Sequence, residues 1–332
     1  MAWYNTKAND SDVVLSTRIR LARNVKDYPF SPLLDETGAG EIIEKVKSSL
    51  SGFELIDINA KSYIERRSLV EKHIISPLFE KTKTPGALFV DKDEKNAVMV
   101  CEEDHLRIQS IYPGHSLNEA FKSACAIDDT LDSGLCYAYS EKLGYLTHCP
   151  TNLGTGMRAS VMMFLPALTG TKMLAGYASQ LEKIGLTMRG TYGEGSGSKA
   201  YIYQISNSVT MGITEEETIL KLEGVVKQLI ESERKTRERI FTSDPDSMCD
   251  KVFRSYGTLK WAYMISSDEF LKLWADIKLG ADLGIIKDID DKKLNQVFVG
   301  AMPATLMLDS GEGDSSDTQR DKLRADYLKR QL

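Results

Sequence analysis

Thr147-His148-Cys149-Pro150-Thr151-Asn152-Leu153-Gly154-Thr155-Gly156-Met157-Arg158-Ala159-Ser160 brings a thiol, a glycine-punctuated polar loop and an arginine together ahead of an apolar run. Glycines let backbone N–H groups approach an anion closely, and an arginine can fork onto two phosphate oxygens. The alternation over residues 143–147 predicts a strand before the loop. The spacing of Val161, Met162, Leu165 and Leu168 predicts a helix after it. On that reading the positive end of the helix lowers the pKa of the Cys149 thiol. A lone cysteine in a glycine turn is more often an inert core residue, so the loop requires corroboration from the rest of the chain.

That corroboration comes from arginines and carboxylates. Residues 13–24 alternate so that Arg18 and Arg20 share one face of an extended segment while Leu15, Ile19 and Leu21 take the other. Glu102, Glu103 and Asp104 precede Arg107; adjacent like charges repel, so such a run is either a wet turn or a site for something cationic. Residues 186–198 run a strand that carries Arg189 into a glycine-rich polar loop, and residues 201–207 read as a second strand, the pattern of a flap over a ligand. Taken singly, each arginine is an ordinary solvated charge. Taken together, Arg18, Arg20, Arg107, Arg158 and Arg189 sit at strand ends or beside glycine loops, and their convergence would serve a nucleotide triphosphate with Mg²⁺ bridging its phosphates. Glu103, Glu194 and Cys149 supply the opposite chemistry: carboxylates that pair with a guanidinium, one of which accepts its proton as the nitrogen attacks the γ-phosphate. The chain contains no G-x-x-x-x-G-K-[ST], H-R-D or D-F-G motif, and its glycines lack the G-x-G-x-x-G spacing. P-loop, Ser/Thr/Tyr protein kinase and dinucleotide-fold readings are therefore removed.

The elements that must position these groups follow from periodicity. Helices are predicted over residues 39–50, 62–73 (stopped by Pro77), 116–131 and 171–184, with strands over 86–91 and 97–100 around a charged turn. Thr214 with Glu217 forms a capping box, opening a helix to about residue 240 whose stripe is Ile219, Leu222, Val226 and Leu229. Beyond it only helical segments remain, around 252–265, 268–278 and 294–299. An acidic Gly/Ser linker at 309–317 then leads to a charged terminal helix, 318–332. A domain boundary near 240 divides 1–240 from 241–332. The length of 332 residues fits two domains. Apolar content of 42% and charged content of 27% are ordinary for a soluble protein, and 42 basic against 48 acidic residues argue against a nucleic-acid binder. The absence of a signal-peptide pattern and of a membrane-length apolar run predicts a cytoplasmic protein with no membrane association. Five cysteines with no C-x-x-C pair suggest neither a disulfide framework nor a protein metal site.

Four blocks, Ser16-Thr17-Arg18-Ile19-Arg20, Glu102-Glu103-Asp104-His105-Leu106-Arg107, Cys149-Pro150-Thr151-Asn152-Leu153-Gly154-Thr155 and Arg189-Gly190-Thr191-Tyr192-Gly193-Glu194, resemble the signature blocks of the phosphagen kinases, in that family's order. The resemblance covers about residues 13–240. The first block begins too early to leave room for the small-substrate domain of those kinases, which would open the cleft to a protein. Arg320-Asp321-Lys322-Leu323-Arg324-Ala325 is similar to the R-D-x-x-R-A motif of bacterial protein arginine kinases.

What the resemblance implies is an α/β (α+β) fold: an antiparallel sheet flanked by helices, then a helical C-terminal domain for regulation or oligomerisation. The implied activity is transfer of the ATP γ-phosphate, with Mg²⁺, to arginine side chains of proteins, in stress response and protein quality control by Clp-type degradation. Expected roles are base for Glu103, second guanidinium carboxylate for Glu194 and substrate-facing thiolate for Cys149. Nucleotide contacts are expected from Ser16, Thr17, Arg18, Ile19, Arg20, His73, Arg107, Arg158, Ala159, Ser160, Val161, Met162, Arg189, Gly190, Thr191, Tyr192, Gly193 and Glu194. Arg320, Asp321, Arg324 and Ala325 would form an allosteric phosphoarginine site, two arginine forks clamping the phosphate. Expected partners are protein substrates such as a stress-gene repressor, an activator of the McsA type, a ClpC-type unfoldase and a second copy of the chain or more. A kinase of free arginine or another small guanidino metabolite, and a non-catalytic phosphoarginine-binding adaptor, are the alternatives. Three positions depart from the family pattern: Cys101 stands for an Asn, His148 for a small residue and Ala200 for a flap Gly.

Overall fold

The computed structural model describes residues 1–82, 84–191, 198–311 and 316–332. Its centre is one antiparallel sheet. Along the chain the strands are β1 Val14–Arg23, β2 Phe53–Asp57, β3 Ala87–Asp91, β4 Asn96–Val100, β5 Leu106–Pro113, the short hairpin β6 Tyr139–Ser140 with β7 Gly144–Tyr145, then β8 Met157–Phe164, β9 Leu186–Gly190 and β10 Ile202–Asn207. Eight of them pair in the order β2-β3-β4-β5-β1-β8-β10-β9, and β6 and β7 pair with each other. The helices interleaved with the strands are α1 Glu36–Ser49, α2 Tyr63–Glu71, α3 Leu117–Leu135, α4 Pro166–Gly170, α5 Leu174–Lys183 and α6 Glu215–Ser243. Five more follow: α7 Pro245–Trp261, α8 Ser267–Asp282, α9 Asp291–Gly300, α10 Pro303–Ser310 and α11 Asp317–Gln331. No described helix is long and apolar enough to cross a membrane.

The two faces of the sheet differ because side chains alternate along each strand. On one face Ile19, Leu21, Ile108, Ala159, Val161 and Ile205 pack against α1, α3, α5 and α6 in the largest core. On the other face apolar packing is split. Leu88, Val90, Ala97 and Met99 meet Ile74, Ile75 and Phe79 at one end. Ile111, Met162, Phe164 and Ile202 meet α7, α8, α9 and α11 at the other, with Trp3 in the same core. Between these two caps lies a strip of the same face left to polar side chains. The helices after residue 244 therefore share a core with the sheet.

Two expectations are corrected. The segment 157–164 is a strand, and helix α4 begins only at Pro166. Its residues are buried on both faces, Val161 and Met163 in the first core, Met162 and Phe164 in the second; a strand buried on both sides gives a continuous apolar run that single-sequence periodicity cannot tell from a helix. Leu15 does not share a face with Ile19. A register shift between Val14 and Ser16 puts Val14 in the first core and Leu15 in the second.

A buried polar hub ties the layers together. The Glu233 carboxylate on α6 accepts from the first-turn amides of α4, Ala167 N at 3.0 Å and Leu168 N at 2.9 Å, and from Arg237 Nε at 2.7 Å. Arg237 also donates to Phe164 O, Asp12 O and Asp282. Lys278, fully buried, donates to Asp282, Asp291 and Ser11 O. Burial pushes the Asp282 carboxyl up to about 7, against the pull of Lys278 and Arg237. Removing one partner of such a hub strands the others in low dielectric. Glu233→Ala should therefore destabilise the protein by roughly 3–5 kcal/mol in chemical denaturation; a loss under about 1 kcal/mol would show that water replaces the carboxylate.

Candidate active site

The polar strip is the floor of a cleft of about 270 Å³, lined by Ser16, Arg18, Arg20, His73, Gln109 and Gln204 among others. Register builds it. On β1 and its neighbours, Arg20 lies directly opposite Arg158 on one side and Gln109 on the other, and Arg18 lies opposite Ser160 and Ile111. Directly opposed residues share a face, so the arginines converge by strand pairing alone. Arg189 on β9 lies opposite Gln204.

Convergence of like charges has visible consequences. Burial first, then the fields of Arg18, Arg107 and Arg158, depress the pKa of Arg20 well below its ordinary value. Burial, then Arg189 and Arg107, also lower that of Arg158. The Nε atoms of Arg20 and Arg158 are buried with no hydrogen-bond partner among the described residues. Their neighbours give local support: Arg18 Nη2 donates to Gln204 Oε1 at 3.2 Å and Arg158 Nη2 to Ser206 Oγ at 3.1 Å. Such a cluster favours a polyanion, whose oxygens supply the acceptors the protein does not. His73, at φ 63°, stacks on Trp3 with centroids 5.5 Å apart, and burial with Arg18 and Arg20 drives its pKa down to about 3. It meets the cleft as a neutral ring.

A second, smaller pocket adjoins the first through Arg20 and is lined by Glu102, Glu103, Asp104, Arg107, Cys149, Thr151, Asn152 and Arg158. The three consecutive carboxylates separate into three roles. Glu102 accepts from Arg107 Nη1 at 2.5 Å and from the Ser76 hydroxyl. Asp104, 2% exposed, accepts from Asn24 Nδ2 and from His148 N, both at 2.7 Å, which places the thiol loop beside its own turn. Glu103 makes no hydrogen bond or ion pair among the described residues and faces the pocket. Cys149 is half-buried with Sγ 3.0 Å from Thr151 Oγ1.

The thiol loop is not a helix N-terminus. Cys149 precedes a three-residue 3-10 turn, Pro150–Asn152, and the loop is fixed from outside: Thr210 Oγ1 donates to Thr151 O and Leu153 O, and Thr155 N to Thr210 O. Gly154 and Gly156 carry φ of 106° and 60°, and a Cβ at either would collide with the carbonyl of Thr210 or of Ala22. Both glycines permit close backbone packing, and the helix-dipole reading of Cys149 is corrected.

Of the remaining expected nucleotide residues, Ser160, Met162 and Thr191 line the cleft and Gly190 ends β9 beside it. The side chains of Ile19, Ala159 and Val161 belong to the core of the opposite face, and Thr17 donates to Gly114 O at 2.7 Å, away from the cleft. Tyr192, Gly193 and Glu194 lie outside the described residues. On α11, Arg324 is 1% exposed and spends its donors on Ala301 O, Ile265 O, Asp321 and Ser267, and Ala325 is buried beside it. The two arginines of the expected clamp therefore differ: Arg320 has 28% of its side chain exposed and pairs with Asp317. Gln204 and Ser206 were missed, although the polar–apolar alternation of Tyr203-Gln204-Ile205-Ser206 put them on one face. The Trp3 stack, joining residues 70 apart, left no local signal.

Comparison with known proteins gives the family and the fold. Residues 36–236 match the family model of the ATP:guanido phosphotransferase C-terminal catalytic domain, and residues 245–332 match that of the protein-arginine kinase McsB C-terminal domain. The chain is 44% identical to a protein-arginine kinase of Caldanaerobacter subterraneus subsp. tengcongensis, covering 97% of this chain and 98% of the relative. It is 40% identical to one of Brevibacillus brevis, covering 99% and 94%. Among solved structures it resembles lombricine kinase, with a TM-score of 0.59 at 24% identity over 70% of this chain and 69% of that one. It also resembles the duplicated taurocyamine kinase of Schistosoma mansoni with bound transition state analog components, with a TM-score of 0.62 at 22% identity over 87% of this chain. This chain spans about half of that duplicated one, 49%.

The thiols should separate sharply in reactivity. Burial pushes Cys101 up to about 12 and Cys125 up to about 11, whereas Cys149 opens onto a pocket that contains Arg158. At pH 8 with limiting alkylating reagent, peptide mass spectrometry should find Cys149 modified at least tenfold faster than Cys101 or Cys125. Equal rates for Cys101 would contradict its burial.

Proposed function

The chain belongs to the ATP:guanido phosphotransferase family, in its protein-arginine kinase branch, and from that premise we propose a division of labour between the two pockets. The activity is transfer of the ATP γ-phosphate to arginine in proteins. The larger cleft holds the nucleotide, with Arg18, Arg20 and Arg158 on its phosphates and His73 against it as a neutral ring. Arg107 and Arg189 flank the transferred group. The observation that carries this reading is the join between the pockets, where Arg20 and Arg158 stand beside Glu103 and Cys149.

A substrate guanidinium enters the smaller pocket, and Glu103 accepts a proton from its terminal nitrogen as that nitrogen forms a bond to phosphorus and the bond to the leaving ADP oxygen breaks. A guanidinium is a poor nucleophile until it loses that proton, so the base must be in place and not already committed. Glu103 meets this condition; Glu102 and Asp104 are occupied by Arg107 and by the loop backbone. The arginine cluster stabilises the charge on the transferring group in a site where little reorganisation is needed. Cys149 supplies a polarizable contact to the guanidinium, and Glu194 is assigned as its second carboxylate from the signature block. Mg²⁺ would neutralise phosphate charge. The ion would be carried mainly by the nucleotide's own phosphates and water.

The C-terminal match supports a further set of assignments: a cytoplasmic setting, an activator of the McsA type, a ClpC-type unfoldase acting downstream and a homo-oligomer. It also supports phosphoarginine binding at α11. Given the burial of Arg324, Arg320 and the outer edge of Asp321 make that contact while Arg324 and Ala325 anchor the helix.

Incubation with ATP and a protein substrate should yield acid-labile, base-stable phosphate on arginine, in preference to free arginine; phosphate on free arginine alone would overturn the protein-substrate reading. Glu103→Gln should keep ATP binding and lower turnover by about 10²–10⁴-fold, the usual share of a positioned base. Near-normal turnover would place the base elsewhere. For the terminal helix, calorimetry should show Arg320→Ala weakening phosphoarginine binding at least tenfold, as loss of a charge-assisted fork requires; equal affinities would move that site off α11.

A further inference from the structure

Helix α2 is nine residues long, and Ser68 is its one fully buried side chain, with Leu69 and Val70 packed in part on the smallest core. Yet α2 and the residues just after it supply Arg67, Val70, Glu71 and His73 to the nucleotide cleft. A helix this short has little stability of its own, so its position must be set by what holds it. The hold is on α10. Glu71 Oε1 accepts from Ala304 N at 3.0 Å, and Glu71 Oε2 accepts from Thr305 N at 2.8 Å and Thr305 Oγ1 at 2.9 Å. The Ser68 and Thr305 hydroxyls lie 3.2 Å apart.

α10 begins with Pro303 and has no side-chain cap from its own flanking residue. Its first free amides, the groups a helix start leaves unsatisfied, are taken by a carboxylate 233 residues earlier in the chain. Arg324 Nε donates to Ala301 O at 3.0 Å, in the turn that joins α9 to α10. The cleft helix and the terminal helix are thus both bonded to the segment 301–305.

We propose that Glu71 is a positioning residue for the nucleotide: by capping α10 it fixes α2, and with it the wall formed by Arg67, Val70 and His73. The inference rests on the reading of the larger cleft as the ATP site. It makes the C-terminal helices part of the framework that sets nucleotide affinity.

The test is titration with a fluorescent ATP analogue, together with steady-state KM and kcat and a thermal melt, on wild type, Glu71→Gln and Thr305→Val. Glu71→Gln keeps the size of the side chain but loses its charge and one acceptor. It should weaken analogue binding and raise KM for ATP at least fivefold, with kcat changed less than twofold and KM for the protein substrate unchanged. Thr305→Val, which loses only the hydroxyl bonds, should move the same constants in the same direction by a smaller factor, and carries the test alone if Glu71→Gln does not fold. A variant with a lower Tm but wild-type Kd and KM for ATP would overturn the proposal, because Glu71 would then serve folding only. Failure of the wild type itself to bind the analogue would overturn the ATP reading of the cleft and this inference with it; wild-type binding matched by both variants would overturn this inference alone.

Discussion

Guanidinium groups on adjacent strands repel one another, and the structure is arranged around holding them together. Arg20 and Arg158 are paired directly across β1 and β8, a placement that costs free energy in any sheet and more where both are desolvated. The opposite face of these two strands and of neighbouring β5 offsets that cost, since Ile19, Leu21, Ile108, Ala159 and Val161 are all essentially excluded from water there. One ladder thus carries stability on one side and stored electrostatic demand on the other. A polyanion entering the cleft meets donors already aimed and does not have to gather them, which is the condition under which charge stabilises a transition state at little further cost.

The same separation of duties operates among the acids. Three carboxylates in a row would repel in free solution, but the turn between β4 and β5 points each at a different partner. Cys101, at φ 62°, opens that turn and lends its amide to His105 O. A left-handed residue is strained for most side chains and least so for Asn or Gly, which gives a physical reason for the Asn that the family pattern carries at this position. Asn24 then braces the turn from β1, donating to Asp104 and Leu146 O and accepting from His105 N. The uncommitted state of Glu103 depends on its neighbours being fully committed.

The sheet was legible in the sequence wherever one face was polar. β1 and β10 alternate, and the shared face of Arg18 and Arg20 follows from that alternation; β5 was not read as a strand. β8 was not legible as a strand, because burial on both faces erases the period that would have announced it, and the misreading of β8 propagated into the reading of Cys149. The cleft residues Gln204 and Ser206 were within reach of the same alternation argument. Trp3, Glu71 and Thr210 were not, because each acts through partners tens to hundreds of residues away, and nothing local marks a carboxylate as the cap of a helix more than two hundred positions later. Signature blocks name the residues that touch chemistry; they do not name those that hold the blocks in register.

The terminal helix shows how far a motif can be read from spacing. Arg320 and Arg324 stand four apart and must project from the same side of α11, yet that side is not uniform along its length. Its C-terminal portion sinks into the second core, with Ala325 and Leu328 fully buried, and Arg324 goes with it, exchanging water for two backbone carbonyls, a hydroxyl and a carboxylate. Unpaired burial of a guanidinium would be prohibitive; saturated burial makes it a cross-brace linking α11 to the loop before α8 and to the start of α10. The motif then has two halves with different physics, an anchored half that fixes the helix and an outer half, Arg320 with Asp317, nearer the surface. The anchored half bonds Ala301 O, a few residues before the Ala304 and Thr305 amides that Glu71 caps, so the terminal helix and a wall of the cleft are fastened to neighbouring turns of one segment.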